Sequence, residues 1–205
     1  MMTSIKYSLL LSILFTANHV GYSQEKIGEK YEKEIKIKKE DFPENALNIL
    51  SPILQKDKRS RFYKEINQDN YSYEYKSTYN TEKLSIKFDQ NGQLEDIEVK
   101  QDFTTITDDI GLKILDYFNN NFQKYKLNKI QFQYAPAEHE TKSDAAFFKQ
   151  FLEQDLNQSI IKYEIEGEVI DAQKERGYYE FVFSTTGEIE KVREIIQRAD
   201  DNILY

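Results

Sequence analysis

Nucleophilic and acid–base chemistry has few side chains to draw on in this sequence. Its 205 residues hold no cysteine and two histidines, His19 and His139. His19 falls in an N-terminal leader, so a Ser-His-Asp arrangement is open only to His139. Charged neighbours flank His139, and no Gly-x-Ser-x-Gly turn stands beside it, so it reads as a solvated loop residue. One histidine without cysteine falls short of a zinc site. Calcium would need Asp89, Asn91, Glu95 and Asp96, but Gly92 comes fourth from Asp89, where an EF-hand loop wants glycine sixth. Asp89 and Asn91 read as turn residues instead. The 36 carboxylates can always supply a pair, which by itself is no sign of a glycosidase-like mechanism. The acidic runs at 138–140 and 164–168 read as solvated faces. The expectation is a non-enzyme with no catalytic residue, no metal and no cofactor.

The tyrosines are the better lead. Tyr71, Tyr73, Tyr75 and Tyr79 recur with polar residues between them, as on a strand with one buried face. Facing a helix they are core; facing outward they make an aromatic patch suited to a protein or a glycan. Tyr178 and Tyr179 point to opposite faces, so one of them is exposed. The candidate binding residues are therefore Tyr71, Tyr73, Tyr75, Tyr79 and Tyr178.

The elements that must position these residues repeat. FDQNGQLEDI at 88–97 and FSTTGEIEKV at 183–192 match at a constant offset of 95, glycine on glycine and Glu95 on Glu190. Asn91-Gly92 is a strong hairpin signal. The step of three from Leu94 to Ile97, repeated from Ile189 to Val192, predicts a β-bulge in each copy. Before each hairpin lies a helical stripe, Ala46, Leu50 and Leu54 in one and Ile110, Ile114 and Phe118 in the other. Asp41 and the run Thr107-Asp108-Asp109 are the expected caps, and Pro52 predicts a kink or an early end. Helix offset 64 against hairpin offset 95 leaves room for about 31 inserted residues, among them an amphipathic helix at 143–158 carrying Phe147, Phe148 and Phe151. These phenylalanines are expected on the second sheet or in a groove between units.

The predicted fold is α+β: two tandem units, each a helix packed on an antiparallel β-meander, with an extra helix inserted in the second unit. The divisions are a signal peptide at 1–23, a charged segment at 24–40, a first helix-plus-sheet repeat at 41–101, a second at 102–197 and a tail at 198–205. Lys6, a mostly apolar stretch of eleven residues from Tyr7 to Ala17 and the exit Gly21-Tyr22-Ser23 make the signal-peptide reading. A membrane anchor would need ~20 apolar residues. The net charge of −8 disfavours nucleic acid and anionic membrane.

Asp41-Phe42-Pro43, the tyrosine strand at 71–75, the strand–turn–strand at 86–97 with its Asp-x-Asn-Gly turn, and the second copy at 181–192 resemble the PepSY-like proteins, which are also similar to the beta-lactamase inhibitor protein. The resemblance implies an exported protein, typically of Bacteroidota, with a concave sheet surface that grips a protein partner. The chain departs from that inhibitor in having no cysteine and a longer second unit, so beta-lactamase inhibition is not carried over. The expected function is a periplasmic or secreted binding module whose partner is another envelope or secreted protein, with no nucleic acid and no membrane span in the mature chain. The alternative is a carrier of a small apolar or glycan ligand under the inserted helix.

Overall fold

Alternating apolar and polar side chains turn about half of the described residues into strand. The computed structural model describes residues 28–31, 33–54, 60–67, 70–136, 143–155 and 160–196. The leader at 1–23, the His139 loop and the tail at 198–205 lie outside the described residues. The strands are β1 (Gly28–Lys30), β2 (Lys33–Ile37), β3 (Arg61–Asn67), β4 (Asn70–Tyr79), β5 (Glu82–Phe88), β6 (Leu94–Lys100), β7 (Lys124–Ala135), β8 (Ile160–Ile170), β9 (Arg176–Phe183) and β10 (Ile189–Ile195). Among the described residues three α-helices interrupt them: α1 (Glu44–Leu54), α2 (Asp108–Asn121) and α3 (Asp144–Glu153).

All ten strands belong to one sheet, in the order β1-β10-β9-β8-β7-β6-β5-β4-β3-β2. The run from β2 to β10 is an antiparallel meander, and β1 adds to its far edge, parallel to β10. β1 and β2 thus occupy the two opposite edges, yet Lys30 and Lys33 are three residues apart in the chain. Three residues reach about 10–11 Å, whereas a flat sheet of ten strands would hold its edges about 43 Å apart at the usual strand spacing. The sheet must therefore curl round until its edges almost meet, as an incompletely closed barrel.

Apolar residues face outward from this curl, under the helices. α1 and α3 cover β3 to β6 through Ala46, Leu50, Ile53, Phe147 and Phe148 against Tyr75, Ile86, Phe88 and Ile97. α2 covers β7 to β10 through Ile114 and Phe118 against Ile165, Phe181 and Phe183. Phe42 ties α1 to this wall with edge contacts to Phe62, Tyr73 and Phe88.

Two tandem helix-plus-meander units are not what forms. One continuous sheet runs through both halves, because β6 pairs directly with β7 and joins them. The helix inserted in the second half also crosses over: Phe147, Phe148 and Phe151 pack with α1 on the first half of the wall, and Asp144 Oδ2 accepts from Leu94 N at 2.9 Å. Helix starts differ as well. Asp41 closes a short 3₁₀ turn, Lys39–Asp41, and α1 begins at Glu44. Thr107 precedes α2 without a side-chain capping bond, whereas Ser143 Oγ accepts from Ala146 N ahead of α3. Pro52 sits in the last turn of α1, which runs on to Leu54.

The two glycine hairpins do match locally. Gly92 and Gly187 have φ of 76° and 81°, and the ladder slips one residue beside each, at Glu95 and at Glu190. A Cβ on Gly92 would lie 2.8 Å from Pro43 Cβ and 3.1 Å from Ala46 N, whereas one on Gly187 would meet Ile110 and Lys113 at 3.3 Å. Gly92→Ala should therefore cost about 1–3 kcal/mol through strain and displacement of α1, and Gly187→Ala about 1 kcal/mol. Urea unfolding of both variants checks this ranking; equal or reversed losses would contradict it.

Candidate functional site: a polar lumen

Every second strand residue points to the inside of the curl, and there the sequence places charge. The register sets Glu74 against Lys87, Lys87 against Asp96, Glu98 against Gln133, Gln131 against Glu164, Glu166 against Glu180 and Glu180 against Arg193. Exposure is 0% at Glu180, 2% at Glu98, 3% at Glu74 and 4% at Glu164, so these carboxylates are enclosed and not on a solvated face. The run at 164–168, read from sequence as solvated, is thereby corrected at its first member. The acids at 138–140 fall outside the described residues.

Buried charges need partners. Glu180 takes both Lys30 from β1 and Arg193 from β10. Burial pushes its carboxyl up, but the two cations outweigh burial and hold it below its ordinary value. Glu166 accepts from Lys129 Nζ at 2.8 Å and from Tyr178 Oη at 3.2 Å. Glu98 accepts from Gln131 Nε2 at 2.9 Å and lies 3.4 Å from Lys87 Nζ. Glu74 pairs with Lys76 at 2.9 Å and accepts from Ser85 Oγ. Glu164 is different. Burial, with Glu98 and Glu180 nearby, pushes it up to about 8 against the pull of Lys30 and Lys87. It therefore holds its proton at neutral pH, directly across from Gln131, whose Oε1 accepts no hydrogen bond among the described residues. Burial beside Glu98 raises Asp96 to about 8 as well.

Glu164, Glu166 and Glu180 bring carboxylate oxygens within 4.8 Å of one another and are the described residues that could hold a cation. Glu180 and Glu166 are already neutralised by their own cations and Glu164 by its proton, so the trio reads as part of the ion-pair network. Asp89, considered from sequence for calcium, caps its own turn by accepting from Asn91 N and Gln93 N, each at 2.8 Å.

The lumen opens at both ends. One mouth is a depression of about 330 Å³ bordered by Glu65, Tyr71, Asp96, Glu164 and Arg193. Because these residues come from strands as far apart as β3 and β10, the depression independently requires the curl. The other mouth is a cleft of about 520 Å³ bordered by Arg61, Lys76, Lys83, Lys100 and Lys129. A third hollow, about 260 Å³, lies between α3 and the outer wall, with Tyr79, Tyr134 and Phe151 among its lining.

The tyrosines fall in different places. Tyr75 is fully buried under α1; Tyr73 is partly buried against Phe42; Tyr79 borders the α3 hollow. Tyr71 is 39% exposed, with Lys64 Nζ 3.7 Å from its ring centre and Tyr73 edge-on at 5.8 Å. Tyr178 points into the lumen, and Tyr179 packs on the outer wall. Sequence reasoning missed the lumen because inward polar alternation looks the same as solvent-facing alternation; the signal was acidic and basic residues recurring on every strand.

No family model matches the chain, and no curated protein does. Among solved structures it is similar to a DUF2874 family protein from Bacteroides ovatus (12% identity, TM-score 0.48, covering 75% of this chain and 89% of that one). It is also similar to a BLIP-like protein from Bacteroides fragilis (12% identity, TM-score 0.47, covering 80% of this chain and 93% of that one). Overlap at this level fixes neither the fold nor the function of this chain.

Two substitutions test the lumen's electrostatics. Between about pH 4.5 and about pH 8 the folded chain keeps the Glu164 proton that an unfolded chain releases. This contribution is present at low pH and is lost as pH rises through about 8. Glu164→Gln should thus gain stability over the parent at pH 9, on the order of 1–3 kcal/mol, with little difference near pH 4.5. Glu180→Gln should lose about 3–5 kcal/mol at pH 7, because it removes the carboxylate charge that Lys30 and Arg193 share. Because the folded Glu180 is lowered, its contribution fades as pH falls below the ordinary value. Thermal unfolding across pH checks both; a Glu164→Gln variant less stable than the parent at pH 9 would contradict the assignment.

Proposed function

We propose that the protein is an exported, non-enzymatic binding module that holds another envelope or secreted protein at the mouth of its lumen. The observation that carries this reading is Tyr71. It is an exposed aromatic ring on the rim of the 330 Å³ depression, stacked by Lys64 and backed by Tyr73. Rigid aromatic anchors beside polar pockets are the usual centres of binding energy. A non-enzymatic role fits carboxylates held in ion pairs, and export rests on the leader sequence. No described helix is long and apolar enough to cross a membrane.

A second reading has its own observation. The α3 hollow combines Tyr79, Tyr134 and Phe151 with Asn80, Gln101 and Gln154, a mixture of aromatic faces and amides that suits a small glycan.

The test is co-purification from the envelope fraction of the native cell, followed by measuring the affinity of the recovered protein for the parent and for Tyr71→Ser. Because Tyr71 is exposed, the variant should fold, and affinity should drop about tenfold or more. Unchanged affinity would overturn the rim assignment. Saturable glycan binding with no protein partner would favour the α3 hollow.

A further inference from the structure

The chain has 36 acidic and 28 basic residues, yet one mouth of the lumen is basic. Arg61, Lys76, Lys83, Lys100 and Lys129 border the 520 Å³ cleft, with Glu74 as its single acid. These residues come from the start of β3, the end of β4, the start of β5, the end of β6 and the middle of β7. At the opposite mouth Glu65, Glu95, Asp96 and Glu164 stand beside Lys87 and Arg193, so the excess of cations belongs to the 520 Å³ cleft.

Two of the five cations are spoken for. Lys76 pairs with Glu34 and Glu74, and Lys129 with Glu166. Burial alone would lower both ammonium groups, but these carboxylates outweigh it and keep them charged. Arg61, Lys83 and Lys100 make no ion pair among the described residues. The register that sets Leu84 opposite Val99 also brings Lys83 towards Lys100 on the next strand. Like charges facing across a strand pair repel each other. Five cations against Glu34, Glu74 and Glu166 leave two positive charges unbalanced, in a cleft within the size range of small-ligand sites.

We propose that this cleft binds a small dianionic ligand: a phosphate or sulfate ester, or a pair of carboxylates, on a scaffold of sugar or dipeptide size. The ligand seats its charges among Arg61, Lys83 and Lys100 and completes the balance that Glu74 and Glu166 leave unfinished. The guanidinium offers a planar fork to two oxygens, and the lysines act as point charges. Electrostatic complementarity of this kind weakens with salt.

The test is an NMR titration of the full mature chain at low ionic strength with methyl phosphate, inorganic sulfate and succinate in turn. The expected result is saturable shifts at amides of β3, β5 and β6, suppressed by added sodium chloride. Affinity should fall about tenfold in Lys83→Gln/Lys100→Gln and stay unchanged in Lys39→Gln, an exposed lysine away from the cleft. Both lysines of the double variant are exposed, and an unchanged melting temperature would establish its fold. A response to methyl phosphate and sulfate alone, or to succinate alone, identifies which kind of dianion the cleft takes. Linear, unsaturable shifts, or equal binding by the double variant, would overturn the proposal. The inference stands apart from the protein-partner reading, because Tyr71 lies at the other mouth: Tyr71→Ser should leave the titration intact.

Discussion

Lys30 and Lys33 sit at opposite ends of the strand order and three residues apart in the chain. Covalent reach allows no flat solution, so the short link between β1 and β2 draws the edges of a ten-stranded sheet together. The buried bond of Lys30 to Glu180, shared with Arg193, holds β1 against β9 and β10 and keeps the link from being relieved by detachment. Closure then decides the remaining architecture. The convex side is the larger surface and takes the three helices. The concave side is left to side chains short of space and of water.

The lumen therefore has to solve its own electrostatics. An apolar filling would have needed no pairing, and buried ion pairs are seldom a net gain in stability over well-packed apolar groups. What an ion-paired lumen provides is register. A one-residue slip of any strand would send its lumen charges under a helix and its apolar residues inward. Where cations are short, as at Glu164, a proton substitutes for them; where they are in excess, as at Lys83 and Lys100, the cleft is left with unmatched charge. Both sites lie towards the mouths, and it is there that a ligand or partner can change the balance.

Much of the wall was legible in the sequence. The periodicity around Tyr75, Ile86 and Ile97 marks inward and outward faces, and the shared step of three at Leu94 and Ile189 marks real bulges, because a bulge leaves a one-residue irregularity in an otherwise strict alternation. The relation between the faces was not legible. Glu164 between Tyr163 and Ile165 reads the same whether its side meets solvent or a closed lumen, since burial there depends on β3 and β10 approaching each other across the curl. The destination of α3 was hidden for a similar reason. Phe147 and Phe148 declare an apolar face but not which half of the wall receives it, and α1 supplies that answer from far away in the chain. Tyr71 and Tyr75 share a strand and a face; only position along the strand, at the rim or under α1, separates an exposed ring from a core one.

Closure of the sheet underlies the rest of the structure, and an interspin distance reports it directly. The chain has no cysteine to remove, so Lys33→Cys and Glu194→Cys can be spin-labelled in the full mature protein without further change. Glu194 pairs with Glu29 on β1, and Lys33 opens β2. If β1 and β2 hold their two edges simultaneously, the backbone separation is at most about 19 Å, from one strand spacing and four residues of chain. A single distance population near or below that value, allowing for the label arms, is the predicted result. A population centred near about 38 Å, the span of eight strand intervals in an open sheet, would contradict closure and with it the lumen.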